Sequence, residues 1–259
     1  MTPRAPSILS QWRELREWPP LETNALHVWR LSWSAWDEAA LTSAAAYLTD
    51  EEFAQAEHMQ MAAVKQRFIA TRSSLRRILA GYLAGGEYAA PETARALCLQ
   101  SGAHGKPALV PPRVRFNLTH TDENCLIAVA AHAEVGIDME AVTRQRPLER
   151  IVRRFFSPAE QAALSGLAGD ALTSAFYRIW TRKEAVIKAL GEGLACPLHS
   201  FDVSADGEAR LLAFRRPEID VGAWRMLNVD VSPDCTAAVA VLGPVESVSG
   251  YTFTPHQHP

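Results

Sequence analysis

The chain is poor in cysteine. It has 4 in 259 residues, at positions 98, 125, 196 and 235, and no two are close enough to form a CxxC motif. That excludes a disulfide-dense scaffold and a compact thiolate metal centre, and it leads us to expect free thiols in a reducing compartment. Long apolar runs are also missing. The longest clean stretch, Leu126 to Ala131, is far too short to span a bilayer. Residues 1–20 carry Arg4, Arg13, Glu14, Arg16 and Glu17 and no apolar run, so no secretory signal is read and the cytoplasm is the expected compartment. Neither sign of charge dominates: 26 Lys plus Arg against 29 Asp plus Glu leaves a net charge of −3. This balance argues against general nucleic-acid binding, which needs a basic surface. We see no internal repeat or low-complexity tract. What is present is ordinary for a folded chain, with 48% hydrophobic and 21% charged residues, enough for one large domain or two small ones.

Periodicity supplies a coarse outline. Ala25 to Leu31 reads as a strand. Thr49 with Glu52 three residues on reads as a helix start, and so does Ser157-Pro158-Ala159-Glu160. Val64 to Leu83 and Ala171 to Leu190 read as long helices, closed by Gly85-Gly86 and by Gly191. A Gly- and Pro-rich connection at 101–113 precedes three strand patterns, at 114–117, 124–131 and 135–139. Further short strand patterns lie near 201–205, 209–214, 223–231 and 236–242, and Tyr251 to Pro259 reads as a loose tail. The pattern is α+β with a boundary near residue 112.

Four features can carry chemistry. In Gly136-Ile137-Asp138-Met139-Glu140 the two acids are two apart, so a strand presents both carboxylates on one side. Such a pair is either a solvated strand end or an oxygen site for Mg²⁺, which takes one or two carboxylates plus waters and phosphates. In Trp180-Thr181-Arg182-Lys183-Glu184-Ala185-Val186-Ile187-Lys188, positions 180, 184 and 188 line up along a helix beside its apolar stripe. There Glu184 and Lys188 form either a surface ion pair or the edge of a cleft. Phe116-Asn117-Leu118-Thr119-His120-Thr121 places two hydroxyls and an imidazole at a strand end, all able to bind phosphate. Lys65, Arg67, Arg72, Arg76 and Arg77 crowd one window without an acid, and Arg144, Arg146, Arg150, Arg153 and Arg154 crowd another against Glu149. Either window is a solvated helix face or an anion-binding surface. Lys106 is a loop cation in Gly105-Lys106-Pro107.

Taken in order, GKP, FNLTHT, GIDME, RFFSPAE and WTRKEAVIKALGEGL, with RFIATRSSLRRIL upstream, resemble the Sfp-type 4′-phosphopantetheinyl transferases over about residues 48–202. The resemblance implies an α+β fold of two similar halves, a pseudo-dimer in one chain with the active site between them. The expected halves are residues 1–112 and 113–245, the second carrying the metal site, with 246–259 as a tail. It also implies transfer of the phosphopantetheine arm of coenzyme A to a serine of an apo acyl or peptidyl carrier protein, releasing adenosine 3′,5′-bisphosphate.

Carried over by motif, Asp138, Glu140 and Glu184 would hold Mg²⁺ (or Mn²⁺) with the diphosphate, and Lys188 would balance charge on the attacked phosphate. Thr119 and His120 would bind coenzyme A phosphate, Lys106 would approach the adenosine end, and Arg67 and Arg72 would lie near the 3′-phosphate. Glu184, or a metal-bound water that it orients, is the expected base. Carrier proteins in this system are usually acidic, so the Arg144–Arg154 window is an expected docking surface. A monomer with no nucleic-acid or membrane partner is expected.

Overall fold

The computed structural model describes residues 8–86, 88–143 and 148–256. The chain begins with two short strands, β1 (Ile8–Leu9) and β2 (Trp12–Glu14), and a long one, β3 (Ala25–Ser32). Four helices follow: α1 (Glu38–Ala45), α2 (Asp50–Glu57), α3 (Ala62–Leu83) and α4 (Pro91–Arg95). The expected start at Thr49 is a full capping box, in which Thr49 Oγ1 accepts from Glu52 N and the Glu52 carboxylate accepts from Thr49 N. A small hairpin, β4 (Leu99–Ser101) with β5 (Pro107–Leu109), encloses the GKP turn. Then come β6 (Arg115–His120), β7 (Asn124–Ala130) and β8 (Glu134–Ala141).

Helices α5 (Leu148–Phe155), α6 (Pro158–Leu164) and α7 (Gly169–Leu190) lead into the last third. The start at Ser157 is again a reciprocal capping box with Glu160. Helix α7 stops at Gly191, whose φ of 71° is a left-handed conformation that glycine adopts without Cβ strain. Strands β9 (Phe201–Val203), β10 (Leu211–Phe214), β11 (Trp224–Val229), β12 (Cys235–Leu242) and β13 (Ser247–Thr252) complete the chain.

Two main sheets form, in the orders β2-β13-β3-β7-β6 and β1-β11-β12-β8. They exchange strands from the chain ends. β1 lies parallel to β11, and β13 lies parallel to β3 and β2. Two features of this layout bear on the expected division of the chain. Within the stretch read as a tail, Ser247–Thr252 is a strand that sits between β2 and β3, with Tyr251 and Phe253 buried. β6 and β7 lie past the expected boundary at 112 yet pair with β3, so the chain changes sheet between β7 and β8.

The strand alternation builds layers. Trp29, Leu31, Ile127 and Val129 face α3 and its Leu75, Ile78 and Leu79. Leu26, Val28, Leu126 and Ala128 face the other way, against Val135, Ile137, Met139, Leu227 and Val239 of the second sheet. Beyond that sheet lies α7, where Phe176, Ile179, Ala185 and Val186 pack with Phe156 and Phe201. The order is therefore helix, sheet, sheet, helix. The odd residues of β8 enter the core between the sheets, which turns Gly136, Asp138 and Glu140 toward α7.

Candidate active site

The contact between β8 and α7 is unusually close, and Gly136 permits it. A Cβ added there would lie 2.1 Å from Ala185 O and 2.3 Å from Ala189 N. No side chain fits, so the helix backbone rests on the strand. This brings Glu184 and Lys188 over Asp138 and Glu140. Lys188 Nζ donates to Asp138 Oδ1 at 2.7 Å and to Ile137 O at 3.2 Å. Trp180, one turn before Glu184, donates from Nε1 to Glu140 Oε1 at 3.2 Å. The line 180–184–188 thus meets the D-x-E pair on one face, as the family resemblance implies.

The electrostatics of this group are unfavourable as it stands. Glu184 is pushed up to about 7, first by burial and then by the negative charges of Asp138 and Glu140, with Lys188 opposing. Asp138 is 5% exposed, and its Oδ2 is buried with no hydrogen-bond partner. A buried carboxylate oxygen without a donor costs about 1–3 kcal/mol, and more when charged. A cation would relieve both conditions. Among the described residues, no three His, Cys, Asp or Glu side chains converge tightly enough to hold a metal by themselves. Mg²⁺ binds through one or two carboxylates and completes its shell with water and substrate phosphate. The donor set, all oxygen, fits the same ion.

Beside these carboxylates lies a cleft of about 560 Å³. Its walls come from α3 (Arg67, Phe68, Arg72), the hairpin turn (His104, Lys106), β6 (Asn117, His120) and the end of α7 (Lys188, Gly191). Its charged side chains, Arg67, Arg72, Lys106 and Lys188, are all cationic. Burial lowers the His120 pKa, with Lys188 and Arg67 adding and Asp122 opposing. Arg67 bonds Asp122 at 2.6 Å, and Arg72 lies 3.3 Å from Glu52. Lys106 donates to Glu134 Oε2 at 3.1 Å and to Ala189 O at 3.0 Å, which ties the hairpin turn to the end of α7. Lys188 alone belongs to both groups: it lines the cleft and bonds Asp138.

The structure thus places Arg67, Arg72, Lys106, His120 and Lys188 at the cleft and gathers Asp138, Glu140 and Glu184 behind Lys188. Thr119 is elsewhere. It is buried, does not line the cleft, and accepts from Met139 N at 3.2 Å. Much of the first basic window is structural. Arg76 bonds Glu52 and the carbonyls of Ala94 and Leu97, and Arg77 bonds Pro255 O beneath the Tyr47 and Phe253 rings. In the second window Arg144 and Arg146 lie outside the described residues, while Arg150, Arg153 and Arg154 are exposed on α5. Asn117 was not expected to have a site role, yet it lines the cleft and accepts from Ile137 N at 2.9 Å. Its signal was a polar residue between Phe116 and Leu118 in a buried strand.

A cleft lined by cationic side chains beside an all-oxygen carboxylate group, with Lys188 between the two, is an arrangement suited to phosphoryl-group transfer. The 4′-phosphopantetheinyl transferase superfamily profile matches residues 134–240, which include β8, α7 and the acids they carry. The chain is 33% identical to the 4′-phosphopantetheinyl transferase HetI of Nostoc sp. over 227 residues, 86% of this chain and 90% of that protein. It is 39% identical to the transferase Sfp of Bacillus subtilis over 101 residues, 39% of this chain and 44% of Sfp. It is 34% identical to AcpT of Escherichia coli over 102 residues, 39% of this chain and 52% of AcpT. The chain belongs to the 4′-phosphopantetheinyl transferase family.

Proposed function

We propose that this chain transfers the 4′-phosphopantetheine arm of coenzyme A to a serine hydroxyl of an apo acyl or peptidyl carrier protein. The observation that carries the reading is the double role of Lys188, at the cleft wall and on Asp138, whose second oxygen is buried without a partner. The serine oxygen forms a bond to the phosphorus that bears the pantetheine arm, and the diphosphate bridge breaks. Adenosine 3′,5′-bisphosphate leaves with the bridging oxygen. In this reading His120, Arg67, Arg72 and Lys106 receive the nucleotide phosphates and adenosine end. Lys188 shifts from Asp138 toward the phosphate under attack and offsets its charge.

Asp138, Glu140 and Glu184 would hold Mg²⁺, with Mn²⁺ a substitute; when bound, the ion neutralises the diphosphate and stabilises the leaving group. Glu184 takes the serine proton, directly or through a water. Beside the cation Glu184 is ionised at neutral pH, because the positive charge lowers its pKa, and an ionised carboxylate can accept the proton. Site groups come from both parts of one chain, so we take the working unit to be a monomer. We place the reaction in the cytoplasm; among the described residues no helix is long and apolar enough to cross a membrane.

The test is intact mass spectrometry of several apo carriers incubated with the protein, coenzyme A and Mg²⁺. A phosphopantetheine mass gain that is lost with Glu184→Gln or without metal supports the reading. Free phosphopantetheine with no carrier gain would mean transfer to water and a hydrolase. Coenzyme A binding without any turnover would mean a binding module.

A further inference from the structure

β6 and β8 are edge strands of different sheets, yet they run side by side. They share no ladder. The N–H and C=O groups of one residue in a strand point the same way, so Ile137 turns both toward β6. Ile137 is fully buried and Met139 is 3% exposed, so neither N–H has water to bond, and a buried donor left unpaired is costly. Two side chains of β6 meet this need. Asn117 Oδ1 accepts from Ile137 N at 2.9 Å, and two residues on, Thr119 Oγ1 accepts from Met139 N at 3.2 Å. Both side chains are buried on the same face of β6 and step along β8 in the same direction. They act as spacers that replace a backbone ladder.

The arrangement reaches the reacting end of the cleft through a single residue. The other backbone group of Ile137, its carbonyl, accepts from Lys188 Nζ at 3.2 Å, while Asp138 takes a second Lys188 bond at 2.7 Å. Asn117, the Ile137 peptide groups and Lys188 therefore form one chain of contacts across the join between the sheets. We propose that Asn117 and Thr119 are positioning residues. They set the register of β8 against β6 and so fix where Lys188 and the carboxylates stand relative to His120, which follows Thr119 directly. This gives Thr119 an acceptor role at the join, through its oxygen and not through its hydroxyl proton. It rests on the transferase reading above.

Thr119→Val keeps the shape and removes the acceptor, whereas Thr119→Ser keeps the acceptor. In the full chain, amide hydrogen exchange at Met139 should quicken about tenfold or more in Thr119→Val, the scale of one lost buried bond. Turnover on an apo carrier should fall about ten- to a hundredfold, the scale of a small misplacement, while coenzyme A affinity by calorimetry is kept. Thr119→Ser should rescue both exchange and turnover. Asn117→Ala should quicken exchange at Ile137 and lower turnover in the same way, and it serves as the test if Thr119→Val does not fold. A loss of coenzyme A affinity that matches the loss of turnover, with exchange unchanged, would make Thr119 a direct ligand and overturn the proposal. So would unchanged exchange with unchanged turnover. If the wild-type chain modifies no carrier, the transferase reading fails, and the exchange results still decide whether these residues hold the join.

Discussion

Helix α7 carries two lysines five residues apart, each bonded to a carboxylate, and the two pairs differ in everything else. Lys183 and Glu160 are 0% and 2% exposed and 2.6 Å apart. Lys183 also donates to Phe201 O at 2.6 Å and lies 4.2 Å from the centre of the Phe201 ring. Glu160 accepts from Ser157 N and Val203 N as well. Every oxygen and the ammonium have partners, and the pair ties α6, α7 and β9 together. Lys188 and Asp138 are 29% and 7% exposed and 2.7 Å apart. One oxygen of Asp138 has no partner, and a second and third carboxylate stand near. The first pair is complete and the second is not. Groups left unsatisfied in a folded chain are where a ligand is expected, because stability is being given up there.

The largest effect should come from breaking the complete pair. Lys183→Met alone leaves Glu160 as a buried, unpaired acid and should cost about 3–5 kcal/mol in urea unfolding. The double variant Lys183→Met with Glu160→Leu should recover much of that loss. A single variant as stable as the wild type would show that the pair does not hold the fold, and the contrast would fail.

The incomplete pair should respond in the opposite sense. Asp138→Asn removes a charge from a crowded acidic group, while its amide oxygen can still accept from Lys188. Stability should hold or rise, and turnover on a carrier should fall about a hundred- to a thousandfold, the scale seen when one electrostatic stabiliser is removed. Loss of fold in Asp138→Asn would place this pair in the same class as the first.

Glu184 sharpens the same point through pH. Its folded pKa, about 7 from burial and the neighbouring acids, is raised above the 4.5 expected unfolded. The folded state therefore favours the protonated form. That stability is complete below about pH 4.5 and is lost as pH rises through 7, amounting to about 3 kcal/mol for a rise from 4.5 to about 7 at 1.36 kcal/mol per unit. In metal-free protein Glu184→Gln should flatten the decline between pH 5 and 7.5 relative to wild type in thermal unfolding. Parallel profiles for the two would mean that Glu184 ionises without strain.

How far the sequence could be read follows from the range of each interaction. Both capping boxes, at Thr49 and Ser157, were legible because donor and acceptor are three residues apart. That Asp138 and Glu140 share a side, and that Glu184 and Lys188 share a line, was legible from two periods, two for the strand and near four for the helix; that the two sets meet was implied only by the family resemblance. β13 was not, because its partners β2 and β3 lie more than two hundred residues upstream and its own alternation is weak. Arg76 and Arg77 read as parts of either a solvated helix face or an anion-binding one, since nothing local shows that Glu52, the carbonyls at the end of α4 and the Pro255 carbonyl will enclose them. Thr119 had the chemistry of a phosphate ligand. Only the neighbouring edge strand shows that its oxygen also accepts from Met139 N.

The smallest expected effect concerns the surface next to the incomplete pair. Helix α5 leans on α7 through Phe155, whose ring meets Trp180 edge-on at 6.0 Å, and Trp180 in turn holds Glu140. The same helix exposes Arg150, Arg153 and Arg154, so a cationic face stands one aromatic contact away from the carboxylates. An acidic carrier approaching its serine to the site would meet that face. Exposed charges of this kind act mainly on encounter, and salt screens them. Arg150→Glu with Arg153→Glu should lower kcat/KM for an acidic carrier by about three- to tenfold at low salt. It should leave coenzyme A affinity alone, and the deficit should shrink as salt is raised. Kinetics unchanged at every salt concentration would show that the carrier docks elsewhere, and would confine the functional side of the contrast to the carboxylates and Lys188.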